Sequence, residues 1–277
     1  VGRIVMKAAA EHLSSVTLEL GGKSPTVVDA SADIEHAART IVWGKYLNAG
    51  QTCIAPDYVL AERSIIDDLL DAMRSALTES YGQTPSERQQ SADYARIVNE
   101  RHFERLHDAL DEAIDAGAHL EYGGTADARE RYIEPTVLTN VPSTTTLMQE
   151  EIFGPILPVQ PFSHLNDAIA AINRRENPLA LYHFTQDDDA TRHLLDHTQS
   201  GDVCVNDVIV HFMSPHLPFG GAGHSGIGAS SGVHGFKEFS NQRSVLRRTG
   251  ASALMQQLYP PYGTATKKLV DWLLPWA

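Results

Sequence analysis

Apolar positions along this chain fall into two alternating periods, near 3.6 and near 2, and the alternation predicts the elements. Val16 to Leu20 is a strand-like apolar run. After Asp33, placed to act as an N-cap, residues Ile34, Ala37, Ala38, Ile41 and Val42 share one face of a helix. Tyr58 to Ala61 reads as a strand, and Ser64 opens a helix whose Ile66, Leu69, Leu70, Met73 and Leu77 make an apolar stripe. Ala95 to Ala116 carries alternating charges around Ile97, Phe103, Leu106, Leu110 and Ile114, the pattern of a long surface helix. The Gln-, Ser- and Pro-rich stretch Gly82 to Ser91 is the loop before it. Strands follow at Tyr132 to Asn140 and Ile156 to Phe162. Helices at Asn166 to Arg175 and Ala190 to His197 then alternate with strands at Leu179 to Thr185 and Asp202 to Asn206. This order predicts an α/β fold with a largely parallel sheet and flanking helices. The glycine-rich run Gly220 to Gly228 is too flexible for the interior of a helix or strand, and Tyr259 to Gly263 forms a bend before a short C-terminal helix.

Composition narrows the function. The 277 residues are 42% hydrophobic and 21% charged, ordinary for a globular protein, and the length suits roughly two domains of about 150 residues. A net charge of -13 disfavours nucleic acid and anionic membrane as partners and fits a cytoplasmic enzyme. With two cysteines, Cys53 and Cys204, and no opening secretory signal, a structural disulfide is not expected. Cys204 lies between two valines in a strand pattern and reads as core. The apolar stretch Leu269 to Ala277 is far shorter than the roughly 20 residues of a membrane span. Thirteen histidines show no convincing ligand spacing, so no metal is expected.

Candidate chemistry concentrates in two segments. Asn48-Ala49-Gly50-Gln51-Thr52-Cys53 presents a cysteine in a small, polar loop after a helix, where short side chains and backbone N–H groups favour access and a thiolate. The alternative is a packing cysteine. Leu18-Glu19-Leu20-Gly21-Gly22-Lys23-Ser24-Pro25 places one carboxylate at the end of an apolar strand. Flanking leucines there would desolvate Glu19 and raise its pKa toward that of a general base. The alternative is an exposed strand-end acid.

Together these segments resemble the signatures of the aldehyde dehydrogenase superfamily. Glu150-Glu151-Ile152-Phe153-Gly154-Pro155 and Leu217-Pro218-Phe219-Gly220-Gly221-Ala222-Gly223-His224-Ser225-Gly226 match two further family segments in the same order. Asp93 to Phe103 and Pro178 to Tyr182 resemble the class 3 branch, which includes bacterial coniferyl aldehyde dehydrogenases. Family members are much longer. The resemblance therefore implies a C-terminal catalytic fragment lacking most of a Rossmann-type NAD domain, with Val1-Gly2 at the tail of a Gly-x-Thr-x-x-Gly turn and Arg3 to His12 as the helix after it.

On this resemblance, residues 1–19 are a remnant of the dinucleotide-binding domain and residues 20–218 the catalytic domain. Residues 219–277 hold an active-site loop, a subunit-pairing strand at Gln242 to Arg248 and a C-terminal extension from Met255 to Ala277. The implied activity is NAD(P)+-dependent oxidation of an aldehyde, coniferyl-type or medium-chain aliphatic, by a homodimer. Cys53 is the implied nucleophile and Glu19 the base that activates the hydrolytic water. Gly2, Leu20, Gly21, Glu151 and Phe153 are implied in holding NAD or NADP, and Asn48, His211, Phe212 and Phe219 in shaping the substrate pocket. The isolated chain is expected to be inactive. Two other readings stay open, a cofactor-free thiol esterase and a non-catalytic dimerisation fragment.

Overall fold

Residues 1–250 and 259–273 are described by the computed structural model. Its strands are β1 (Leu18–Glu19), β2 (Pro25–Val28), β3 (Tyr58–Glu62), β4 (His119–Tyr122), β5 (Ala126–Asp127), β6 (Tyr132–Ile133), β7 (Thr136–Thr139), β8 (Ile156–Phe162), β9 (Ala180–Phe184), β10 (Asp202–Val205) and β11 (Gly226–Ile227). Its helices are α1 (Gly2–Ala10), α2 (Ile34–Tyr46), α3 (Ile66–Tyr81), α4 (Pro85–Gln90), α5 (Glu100–Asp115), α6 (Thr146–Gln149), α7 (Leu165–Asn173), α8 (Asp188–His197), α9 (Gly232–Glu238) and α10 (Thr264–Leu273).

A seven-stranded sheet in the order β10-β9-β2-β3-β8-β7-β4 organises the larger unit, Val1–Phe239. Every pairing in it is parallel except β4 with β7. Val27, Val28, Val59, Leu157, Val159 and Leu181 are fully enclosed, as central parallel strands covered on both faces require. Helix α2 packs on α3. Its Asp33 side chain accepts from the His36 N–H, and Ala37, Ala38, Ile41 and Val42 are buried as their spacing predicts.

The topology carries a functional consequence. The segment 19–23 enters the sheet at the amino end of β2, Cys53 precedes β3, and 151–155 precedes β8. Because β2, β3 and β8 are adjacent and parallel, these three stretches, distant in sequence, meet at one edge.

Several expectations change. Gly82 to Ser91 is not all loop, since α4 forms within it with a capping box between Thr84 and Glu87 and a proline in its first turn. The long helix begins at Glu100, capped by Asn99, rather than at Ala95. The helix opened at Ser64 starts with a 3-10 turn, Arg63–Ile65. The glycine-rich run does contribute a strand: β11 pairs antiparallel with β1 because Gly226 lets the backbone approach Leu18, where a Cβ would lie 2.4 Å from the Leu18 carbonyl oxygen. Cys204, on edge strand β10, is half-buried and packs against the core rather than within it.

The second unit, Ser240–Ala277, contains α10. Residues 242–248 join no ladder among the described residues; the strand expected there is one that pairs with a second chain. Of the extension from Met255, residues 255–258 and 274–277 lie outside the described residues. Among the described residues no helix is long and apolar enough to cross a membrane.

Candidate active site

The cysteine loop is held in an unusual backbone shape. Asn48 (φ 53) and Ala49 (φ 52) are both left-handed, followed by Gly50 (φ 73). Two consecutive non-glycine residues in this region cost of order 1–3 kcal/mol each and persist only where neighbours impose them. Gly50 is wedged against the Glu150–Pro155 segment, where an added Cβ would sit 2.3 Å from the Gly154 carbonyl oxygen. Gln51 supplies the other restraint. Its amide donates to the carbonyls of Asn48 (3.0 Å) and Arg96 (3.1 Å) and accepts from the Val98 N–H (2.9 Å). Asn48, expected to face substrate, is exposed and spends its own amide N–H on the Gln51 carbonyl at 3.0 Å.

Cys53 is half-buried at the end of this loop, and its thiol is not the low-pKa group expected from the sequence. Burial is the main cause pushing its pKa up, and the nearby Glu151 and Glu19 carboxylates push the same way, against partial relief from backbone N–H groups. The resting group is therefore a thiol whose deprotonation is opposed by two acids.

Glu19 departs from expectation in its exposure. In the two-residue strand β1 the alternation turns Leu18 inward and Glu19 outward, so its carboxylate is exposed rather than desolvated by the flanking leucines. One carboxylate oxygen accepts a hydrogen bond from the Ser230 hydroxyl.

Glu151 is the desolvated acid. Its pKa is raised to about 7, first by burial and then by Asp57, while the Gly22 N–H bonded to it acts in the opposite sense. The carboxylate presses on Gly21, where a Cβ would stand 2.0 Å from Oε2. Phe153, two residues on, is left-handed (φ 47) and 37% exposed. Gly2 is buried against Leu20, whose N–H donates to the Ser225 carbonyl at 2.9 Å. A cavity of about 870 Å³ is walled by Glu151, Gly21, Gly22, Lys23, Tyr58 and Arg175, among others, and Cys53 does not line it.

Beneath the site, a buried ionic network stitches the strand ends together. Lys23 Nζ pairs with Asp57 and donates to the carbonyls of Leu147 (2.6 Å) and Glu150 (2.9 Å). The second Asp57 oxygen accepts from the Ile152 N–H at 2.8 Å. Burial lowers the pKa of Lys23 despite this pairing. It also draws fully buried Lys45 down to about 8, with Asp57 and Glu151 opposing.

On the other side, an aromatic row runs outward from the cysteine loop. Tyr182 donates its Oη–H to the Ile54 carbonyl at 2.5 Å and accepts from the Ile209 N–H at 3.3 Å. His211 lies 5.9 Å from the Tyr182 ring and 6.1 Å from Phe219, which meets Phe212 edge-on at 6.3 Å. His211 is only 9% exposed, and neither ring nitrogen has a protein partner. Thus the structure groups His211, Phe212 and Phe219, groups Gly21 with Glu151, and sets Cys53 within the field of Glu19 and Glu151. Gln51, Lys23, Asp57, Tyr182 and Ser230 also build the site, and the sequence pattern did not single them out.

A half-buried cysteine whose thiol feels the Glu151 and Glu19 carboxylates thus lies where the segments leading into adjacent parallel strands of an α/β sheet meet. The model of the aldehyde dehydrogenase family matches residues 1–245, and the chain belongs to that family. It is 48% identical over 276 residues to aldehyde dehydrogenase family 3 member A2 of Pongo abelii, covering 98% of this chain and 54% of that protein. It is 48% identical over 249 residues to the dimeric NADP-preferring aldehyde dehydrogenase of Mus musculus, covering 90% and 53%. Staphylococcus aureus AldH in a substrate-bound state superposes with a TM-score of 0.90 at 44% identity, over 98% of this chain and 58% of that one. The NAD-dependent aldehyde dehydrogenase of Sinorhizobium meliloti gives 0.80 at 30% identity, over 91% and 50%. The chain spans about half the length of the curated relatives it matches.

Proposed function

We propose that this chain carries the nucleophile, the hydrolytic base and part of the cofactor site of an NAD(P)+-dependent aldehyde dehydrogenase of class 3 type. Cys53 Sγ attacks the aldehyde carbon to give a thiohemiacetal. The Cys53 backbone N–H, on the strained loop, is a donor for the oxyanion. A nicotinamide cofactor, when bound, supplies the hydride acceptor that lets the adduct become a thioester. Glu19 then takes a proton from water, whose oxygen attacks the acyl carbon; the C–S bond breaks and the carboxylic acid leaves.

Residues 20–21 and 151–153 fit a ribosyl nicotinamide. Glu151 offers two acceptor oxygens held against Gly21, and Phe153 offers an exposed ring beside it. Burial raises the Glu151 pKa to about 7, so this carboxylate takes up a proton more readily than an ordinary acid.

The observation that carries this reading is that the segments bearing Glu19, Cys53 and Glu151 meet at the amino ends of the adjacent parallel strands β2, β3 and β8, with both acids opposing ionisation of the thiol. For the substrate, the aromatic row supports an aromatic aldehyde, and the unpartnered nitrogens of His211 support one with a polar ring substituent, as in coniferaldehyde. Reduction of NAD+ or NADP+ with coniferaldehyde, followed by absorbance in the wild-type protein and a Cys53→Ala variant, tests the proposal. Turnover that vanishes with Cys53 supports it, and turnover that survives the substitution overturns it.

A further inference from the structure

We propose that Ser230 is the positioning residue of the hydrolytic base, holding the Glu19 carboxylate by one oxygen so that the other is presented to water. The Ser230 hydroxyl donates to Glu19 Oε1, the side-chain hydrogen bond found on this carboxylate among the described residues. Without it an exposed glutamate samples many rotamers, and holding such a chain costs side-chain entropy that a charge-assisted hydrogen bond offsets.

The anchor itself is firmly placed. Ser230 exchanges two backbone hydrogen bonds with Phe219, at 3.0 and 2.6 Å, in an antiparallel bridge. The next residue, Ser231, is left-handed (φ 77) and its hydroxyl donates to the Ser214 carbonyl at 3.3 Å. Gly232 (φ 49) presses on Pro215, where a Cβ would lie 1.9 Å from the carbonyl oxygen. Glu19 is thereby tied to the segment that bears Phe219, so the base and the wall of the substrate pocket are set by one contact.

The inference rests on the proposed roles of Cys53 and Glu19. The titratable groups on elements around Glu19 are Cys53, Asp202 bonded to the Gly220 N–H, and His234 and Glu238 on α9, the last accepting from Thr17. Ser230→Ala alters the charge of none of them.

The test is acylation of the purified chain by p-nitrophenyl acetate, with intact mass following loss of the acetyl group across pH. In Ser230→Ala, Cys53 still acetylates and deacetylation slows several-fold. Ser230→Thr, which keeps the hydroxyl, restores the wild-type deacetylation rate. An unchanged deacetylation rate in Ser230→Ala overturns the role of Ser230 alone. An unchanged deacetylation rate in Glu19→Gln, or absence of acetyl-Cys53, overturns the reading of the site and this inference with it.

Discussion

The hydroxyl of Tyr182 donates to the carbonyl of Ile54, the residue after Cys53, at 2.5 Å. The same oxygen accepts from the Ile209 N–H, next to the turn that carries His211 and Phe212. One buried phenol on β9 thus fixes the cysteine loop to the segment leading into the His211–Phe212 turn. Tyr182→Phe leaves a buried carbonyl and a buried N–H without that partner and is expected to cost about 1–3 kcal/mol. Urea unfolding should show the loss, and alkylation kinetics of Cys53 should show the loosened loop.

The pair Lys23 and Asp57 invites a sharper contrast. Both are buried, and together they bind the backbone at Leu147, Glu150 and Ile152, on both sides of Glu151. Removing one partner by Asp57→Asn or Lys23→Met strands a buried charge and is expected to cost roughly 3–5 kcal/mol. The double variant Lys23→Met, Asp57→Leu should recover part of that loss. A double-mutant cycle on midpoint denaturant concentrations measures the coupling.

Glu151 governs a pH effect. Its folded pKa of about 7 lies above the ordinary 4.5, so the folded chain holds this proton more tightly than the unfolded one. Its contribution is therefore most favourable below pH 4.5 and is lost as pH rises through 7. Glu151→Gln should raise stability at pH 8 by roughly 1 kcal/mol after allowance for solvent screening, with the advantage fading toward pH 5. The same substitution removes a charge that opposes thiolate formation, so iodoacetamide should alkylate Cys53 several-fold faster at pH 8.

Gln51 is expected to act through the loop. Gln51→Leu keeps the volume but removes three hydrogen bonds that span the loop and the segment 96–98. The strained pair Asn48 and Ala49 should then relax, lowering the rate of Cys53 acylation with a smaller change in melting temperature.

Most of the sheet was legible in the sequence because its strands are either alternating or wholly apolar. Ile156 to Phe162 matches β8 to the residue. Helix α4 has no apolar face to betray it; the signal was local, in Thr84, Pro85 and Glu87. β2 was hidden because Pro25 to Val28 is a short, fully buried run next to a motif that drew the eye to its glycines. The exposure of Glu19 follows from a two-residue strand whose partner, β11, lies in a glycine-rich stretch that pattern alone reads as loop. Ser230 could not be read at all: its partner is 211 residues away, and only the fold brings them together.

The central claim is that Cys53, and not Cys204, is the nucleophile. Both thiols are half-buried, so exposure does not favour either. Peptide mapping after one brief exposure of the chain to p-nitrophenyl acetate separates them directly. The account requires the acetyl group on the peptide bearing Cys53, with its formation abolished by Cys53→Ala. Acetyl on Cys204, or equal labelling of the two, would contradict it.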